Sequence, residues 1–240
     1  MKKYLEETAL LDYSHPDIQI VVNQKKWMQL APADRLKAVY SFVRNDIPFG
    51  YNEKDDLKAS QILADGYGQC NTKATLLMAL LRAVNLPNRI HGFTIDKRLQ
   101  KGAITGIWYT MAPKNILHSW VEVKLKGTWY FLEGVILDQM YLDQIQKQNT
   151  ENNPNFCGFG AFTKDFTQPV VEWDFNHTFI QEKGINQDFG LFNSPDEFYQ
   201  KQPQNLKGIR KIVFENIVRK KMNANVVRLR GVTKTSSRFR

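Results

Sequence analysis

The sequence predicts an α+β domain in which one buried helix packs on an antiparallel β-sheet, followed by an irregular C-terminal extension. Three observations predict it. Residues 70–87, CNTKATLLMALLRAVNLP, place Ala74, Leu77, Met78, Leu81 and Val84 at three- and four-residue intervals and stop at Pro87, as a buried helix would. Residues 118–133, HSWVEVKLKGTWYFLE, alternate Val121, Val123 and Leu125 with Trp120, Glu122 and Lys124 ahead of a Lys126-Gly127 turn, which reads as a β-hairpin. Between them NRIHGFTID is short and β-rich, as expected of a central strand.

The remaining elements follow in chain order. Residues 17–30 and the segment after Pro32 read as two helices, the second carrying Leu36, Val39, Tyr40 and Val43 on one face. Asp34 suits the start of that helix, while Pro48 and Gly50 mark its end, and a loop is expected from there to Gly68. KRLQKGAITGIWYTMAPKN is expected to be a connecting excursion with some strand character. Residues 139–206 hold many Asn and Gln, the Phe-rich stretch NFCGFGAFTKDF and several Pro and Gly breaks, and are expected to form an irregular extension packed on a core of residues 1–138. Residues 206–222 look helical, with Ile209, Ile212, Val213 and Ile217 on one face, and the remainder of 207–240 reads as a basic tail. There is no internal repeat.

Composition narrows the function classes. At 240 residues with 42% apolar content, the chain has enough for a sizeable core. The N-terminal MKKYLEETALLDYS carries Glu6, Glu7 and Asp12 where a signal peptide needs an apolar run, and no stretch approaches the roughly 20 apolar residues of a membrane span, so a cytoplasmic protein is expected. The two cysteines, Cys70 and Cys157, are far apart and form no CxxC, which indicates neither a disulfide framework nor a zinc knuckle; no metal or other cofactor is expected. The net charge of +9 is concentrated at one end. From Lys207 onward eleven Lys or Arg stand against Glu215 alone, so the preceding body is close to neutral. The basic end is expected to be a solvated helix face and frayed tail; a weak anionic partner, whether nucleic acid, membrane surface or acidic protein, is the alternative.

The chemistry centres on Cys70. A cysteine at the first turn of a helix gains thiolate character from unpaired backbone N–H groups and the positive end of the dipole. The preceding DGYGQ turn, with two glycines, lets the backbone present the thiol and its own N–H toward a cleft. The competing reading is a small core residue. Its partner must be one of His15, His91, His118 and His177. With Lys126 and Gly127 as the turn residues, His118 falls opposite Val135 and Glu133 is its diagonal neighbour, about 7–8 Å away at the backbone, near enough for the carboxylate to reach an imidazole Nδ1–H. His91 reads as a packed strand residue, and His15 and His177 as loop residues. A Cys70, His118, Glu133 relay would have imidazole take the thiol proton and return it to a leaving amine, with the carboxylate fixing the tautomer.

The string Gly66-Tyr67-Gly68-Gln69-Cys70 before an apolar helix, then NLPNRIHGF, then His118-Ser119-Trp120-Val121-Glu122-Val123 and Gly127-Thr128-Trp129-Tyr130, resembles the core of the transglutaminase-like superfamily over roughly residues 35–138. The resemblance implies a papain-like α+β fold and attack on an amide carbonyl through an acyl-thioester. By it Cys70 matches the nucleophile, His118 the base and Glu133 the acidic position, where relatives usually have aspartate in a Trp-x-x-x-Asp pattern; Asp138 is the fallback. Relatives that cross-link proteins place an upstream tryptophan at the oxyanion. Here Trp27 sits in a different local context, and Tyr51, Gln69 and Trp120 are the candidates for oxyanion donors or cleft walls. The expected substrate is a protein or peptide amide, with water or an amine as acceptor; hydrolysis is favoured because the calcium-binding and accessory regions of large cross-linking relatives are not seen. Two other readings stand beside this one: an inactive papain-like binding module, and a basic-tail nucleic-acid or membrane-surface binder on an inert scaffold.

Overall fold

The computed structural model describes residues 2–149, 156–203 and 218–231. Its centre is the buried helix. Helices α1 (Pro16–Gln24), α2 (Pro32–Ser41) and α3 (Ala59–Asp65) precede α4 (Cys70–Ala83), in which every residue from 71 to 82 is buried. The apolar spacing read from sequence accounts for only part of that helix. Its polar positions are buried as well because each has a fixed partner: Arg82, for example, donates to Asn88 Oδ1 and to the carbonyls of Asn88, Glu6 and Asn193.

Strands β1 (Asn88–Asp96), β2 (Asn115–Leu125) and β3 (Thr128–Phe131) follow, with the short α5 (Ile107–Met111) in the excursion between β1 and β2. Helix α6 (Gln139–Gln148), the two-residue strands β4 (Cys157–Gly158) and β5 (Ala161–Phe162), strand β6 (Ile185–Phe192), α7 (Pro195–Lys201) and α8 (Arg219–Leu229) complete the described chain. The main sheet runs β3-β2-β1-β6 and is antiparallel throughout. The hairpin turn is as expected, with Lys126 and Gly127 both left-handed (φ 49° and 89°).

Helix α4 lies on the sheet face that carries Asn88 and Ser119, whose side chains bond to Met78 O and to Asn71. Gly92 is on this face, and a Cβ there would come within 2.3 Å of the Phe198 ring, so close seating of α7 on β1 requires glycine. The opposite face carries Phe93, His118, Trp120 and Glu122. Although Val121 and Val123 alternate with Trp120 and Glu122 in the sequence, residues 118–123 are buried on both faces. The reason is non-local: residues 177–181 fold back over the second face, where Phe179 packs on Trp120 and Phe131 and Thr178 N bonds to Phe131 O.

Four further expectations change. The loop after Gly50 contains α3, started by Asp12, whose carboxylate accepts from Ser60 N and Oγ across 48 residues of sequence. The excursion between β1 and β2 is helical at α5, with only an isolated bridge between Lys101 and Ile104 for its strand character. The 139–206 extension contributes to the main sheet: β6 is a full member of it, disguised in sequence by register shifts at Gly92/Phe93 and Thr94/Ile95. Finally, α8 is seated by Met222, Val226 and Leu229 and anchored by Arg230, so the basic end is not all solvated tail. The expected apolar face of Ile209, Ile212, Val213 and Ile217 lies outside the described residues.

Candidate active site

Cys70 is the first residue of α4, and the turn before it is built by hydrogen bonds. Gly66, left-handed at φ 71°, closes α3; Gly68 N donates to Pro48 O and Gly50 N to Gly68 O, fixing the strand-like approach. Gln69 caps α4 through its backbone N–H to Thr72 Oγ1 at 3.0 Å, while its side chain accepts from Asn52 N and donates to Asp55. Asn71 then grips strand β2 on either side of His118: its Nδ2 donates to Leu117 O at 3.0 Å and its Oδ1 accepts from Ser119 Oγ at 2.9 Å. The same Nδ2 donates to Asp55 at 2.8 Å.

The electrostatics around the thiol differ from expectation. The backbone N–H groups of Asn71 and Cys70 do lower the thiol, as a helix N-terminus should, but burial and the nearby Asp55 carboxylate outweigh them and push Cys70 well above the ordinary range. At neutral pH the side chain is a thiol, and a base must remove its proton before it can attack.

His118 and Glu133 form a buried pair. His118 Nε2 lies 2.8 Å from Glu133 Oε1, and both side chains are 0% exposed. The other carboxyl oxygen accepts from the backbone N–H groups of Ile180 and Gln181 at 2.9 and 3.0 Å. An ionised carboxylate is acceptor-only, so a neutral imidazole bonded to one carries its proton on Nε2 and leaves Nδ1 free to accept. That Nδ1 is buried and has no hydrogen-bond partner among the described residues. The expected contact used the other ring nitrogen and a strand pairing of His118 with Val135. The register holds through Glu122 and Phe131, but β3 ends there and Glu133 begins a 3-10 turn, Glu133–Val135, so the carboxylate meets Nε2 instead. No hydrogen bond joins the Cys70 thiol to His118 among the described residues.

The candidate oxyanion groups separate. The amide of Gln69 is engaged on both sides, as above. Tyr51 is buried, donates its hydroxyl to Gln100 Oε1, and has its backbone clasped by Asn223 at 2.7 and 3.0 Å. Trp120 is held among Phe93, Phe131 and Phe179, with its indole N–H unpartnered. Trp27 is a core residue against Phe42. Asp138, the fallback acid, is committed elsewhere: it caps α6 through Tyr141 N, accepts from Phe49 N, and pairs with Arg230 at 3.1 and 2.7 Å. Both cysteines are free, and Cys157 is half-buried on the two-stranded sheet.

The other histidines are occupied. His15 caps α1, His177 accepts from Phe131 N, and His91 sits between Glu122 at 3.0 Å and Asp188 at 2.9 Å. Sequence reasoning missed Asp55, Asn71 and the 180–181 amides. Asn71 could have been flagged as the residue after the thiol; Asp55 and the amides meet the site only through the fold. No group of three or more His, Cys, Asp or Glu among the described residues could hold a metal, and no described helix is long and apolar enough to cross a membrane.

The family model described as the transglutaminase-like superfamily matches residues 21–134, the stretch that runs from α1 through the nucleophile helix to Glu133 and Gly134. No curated protein matches the chain in sequence. Among solved structures the chain is similar to a candidate cysteine protease from Cytophaga hutchinsonii, at 12% identity and TM-score 0.46, covering 81% of this chain and 47% of that one. The chain therefore spans about half the length of that protein.

Proposed function

We propose that this chain, transglutaminase-like over residues 21–134, is a cysteine-dependent acyl-transfer enzyme acting on a protein or peptide amide. Supporting this reading above all is the buried His118–Glu133 pair, whose Nδ1 has no partner among the described residues, on a strand that Asn71, the residue after Cys70, bonds on both sides of His118. His118 Nδ1 takes the Cys70 proton as the sulfur attacks the carbonyl carbon; the imidazolium, held by Glu133, returns it to the departing amine, leaving an acyl-thioester. Water or an amine then attacks that thioester through the same imidazole. Water as acceptor makes a peptidase or amidase, and an amine makes a transglutaminase.

One observation favours the inactive-module reading, namely the raised thiol with no hydrogen bond to His118. Alkylation separates the two. In a Cys157→Ser background, Cys70 should react with iodoacetamide at pH 7 at least roughly 10-fold faster with His118 present than in His118→Ala, because without a base the raised thiol has almost no thiolate. Equal, slow rates in both would leave a binding module.

A further inference from the structure

The nucleophile and the base belong to different elements, Cys70 to the first turn of α4 and His118 to β2, and proton transfer between them needs the two backbones held in register. At the level of His118, β2 pairs with β1 through Phe93, whereas its pairing with β3 runs from Glu122 to Leu125. On the β3 side of His118, therefore, the strand is not held by that partner. A side chain of α4 bonds to β2 at this level instead.

That side chain is Asn71. It is 1% exposed, and each polar group of its side chain is bonded. Nδ2 donates one proton to Leu117 O at 3.0 Å and the other to Asp55 Oδ2 at 2.8 Å, and Oδ1 accepts from Ser119 Oγ at 2.9 Å. A carbonyl and a carboxylate only accept, so the amide cannot be turned over without losing both donations. Both chain neighbours of the base are thus bonded to the residue that follows the nucleophile. The joint is fixed from behind as well: Asp55 Oδ1 accepts from Gln69 Nε2 at 2.8 Å, so one carboxylate ties down the residues before and after the thiol. An amide buried without partners costs about 1–3 kcal/mol, and alanine would extend α4 more favourably, so stability alone does not call for asparagine here. Buried asparagines set register between packed elements where apolar contacts alone would allow sliding.

We infer that Asn71 is a positioning residue of the proposed reaction, setting the register between the first turn of α4 and β2 in which the Cys70 proton passes to His118. The inference rests on the acyl-transfer reading given above. Asn71 gives no proton to the chemistry, since both of its side-chain N–H groups are committed. As His118 Nδ1 takes the proton, the S–H bond breaks and its electron pair stays on sulfur for the attack. Shifting one backbone against the other by about 1 Å removes that transfer while leaving both groups in place.

A double-mutant cycle between Asn71 and His118 separates this role from a structural one, read by iodoacetamide alkylation of Cys70 at pH 7 in the Cys157→Ser background. Alkylation joins sulfur to the reagent's carbon with loss of iodide, and the thiol proton leaves through His118. Asn71→Ala is expected to slow it roughly 10-fold, to near the rate of His118→Ala. In the His118→Ala background the same substitution should change the rate by less than about 2-fold, because no base is left to position. Equal factors in the two backgrounds would mean that Asn71 shapes the helix end or the charge around the thiol, and an unchanged rate with His118 present would give it no part in the transfer; either overturns the inference. Asn71→Ala also strands its three partners, so urea midpoints are measured beside the rates. Should that variant not fold, Ser119→Ala carries the test, since it removes one grip and leaves the Leu117 and Asp55 bonds. A roughly 3-fold slowing confined to the background with His118 is then expected, and no slowing, or the same slowing without His118, overturns the inference. A parent Cys70 no faster than in His118→Ala overturns the acyl-transfer reading and this inference with it, whereas a His118-dependent parent indifferent to Asn71→Ala overturns this inference alone.

Discussion

Lys73, one turn into the nucleophile helix, gives the sharpest test of how this core is held together. Its side chain is fully buried and, among the described residues, its ammonium donates to two carbonyls, Arg44 O at 3.0 Å and Ile136 O at 3.1 Å. Burial lowers it from 10.5 to about 7, against the pull of Asp138. The folded protein therefore binds this proton less tightly than the unfolded chain does. Between about pH 7 and pH 10.5 the unfolded state carries more of the proton, so stability from this group rises with pH across that window. Worked through, the penalty is on the order of 4 kcal/mol at pH 7 and about 2 kcal/mol at pH 9. Lys73→Met removes it. The variant also strands two carbonyls at about 1–3 kcal/mol each, but that cost does not titrate. Urea unfolding of both proteins at pH 7, 8 and 9 gives the difference, in which the titrating thiols and tyrosines cancel. Parent stability minus variant stability should rise by on the order of 2 kcal/mol from pH 7 to pH 9. A flat difference would mean that the ammonium is solvated or paired in a way this fold does not provide.

Three other expectations are open to direct measurement. Asp138→Ala should cost about 3–5 kcal/mol in urea unfolding, because it leaves the Arg230 guanidinium buried and unpaired; a loss under about 1 kcal/mol would show that the clamp is wet. Glu133→Gln keeps an acceptor for the 180–181 amides but no longer stabilises imidazolium, so acetylation of Cys70 by p-nitrophenyl acetate should fall roughly 10²- to 10⁴-fold, and an unchanged rate would exclude the relay. His91 is raised above 6.5 by its bonds to Glu122 and Asp188, in spite of burial; that contribution is complete below pH 6.5 and is lost as pH rises through the folded value. His91→Gln should accordingly flatten the change in unfolding midpoint between pH 6 and pH 8, and an identical profile in both proteins would sink that assignment.

What could be read from the sequence were the features set by neighbours in the chain. The helix after Cys70, the central strand at NRIHGFTID and the Lys126-Gly127 turn all follow from periodicity or from a residue type demanded by a local conformation, and the structure has all three. Glu133 was placed near His118 by counting across the hairpin. The count held to Phe131, and the ring nitrogen was then decided by a 3-10 turn that no hairpin arithmetic contains. Thiol electrostatics were misjudged because the helix terminus is a local effect, whereas Asp55 reaches Cys70 only after the loop has folded back. Strand β6 was hidden because Gly190 and two register shifts interrupt its alternation, and α3 because a carboxylate that takes a first-turn N–H, Asp12, lies 48 residues away in sequence.

The anchoring of α8 bears on when, during folding, the segment ahead of Cys70 is fastened. Arg230 donates to Phe49 O and Asn223 clasps Tyr51, contacts that close 181 and 172 residues of chain. These are among the costliest loops in the molecule to close and so among the last to form, since ordering entropy must be met before such contacts reward it. A nascent chain released only as far as Glu133 would already hold the thiol, the imidazole and the carboxylate, yet the segment just ahead of the nucleophile would lack its fastening. Asn223 and Arg230 thus fasten the segment that leads to the thiol, although the two regions lie toward opposite ends of the described chain.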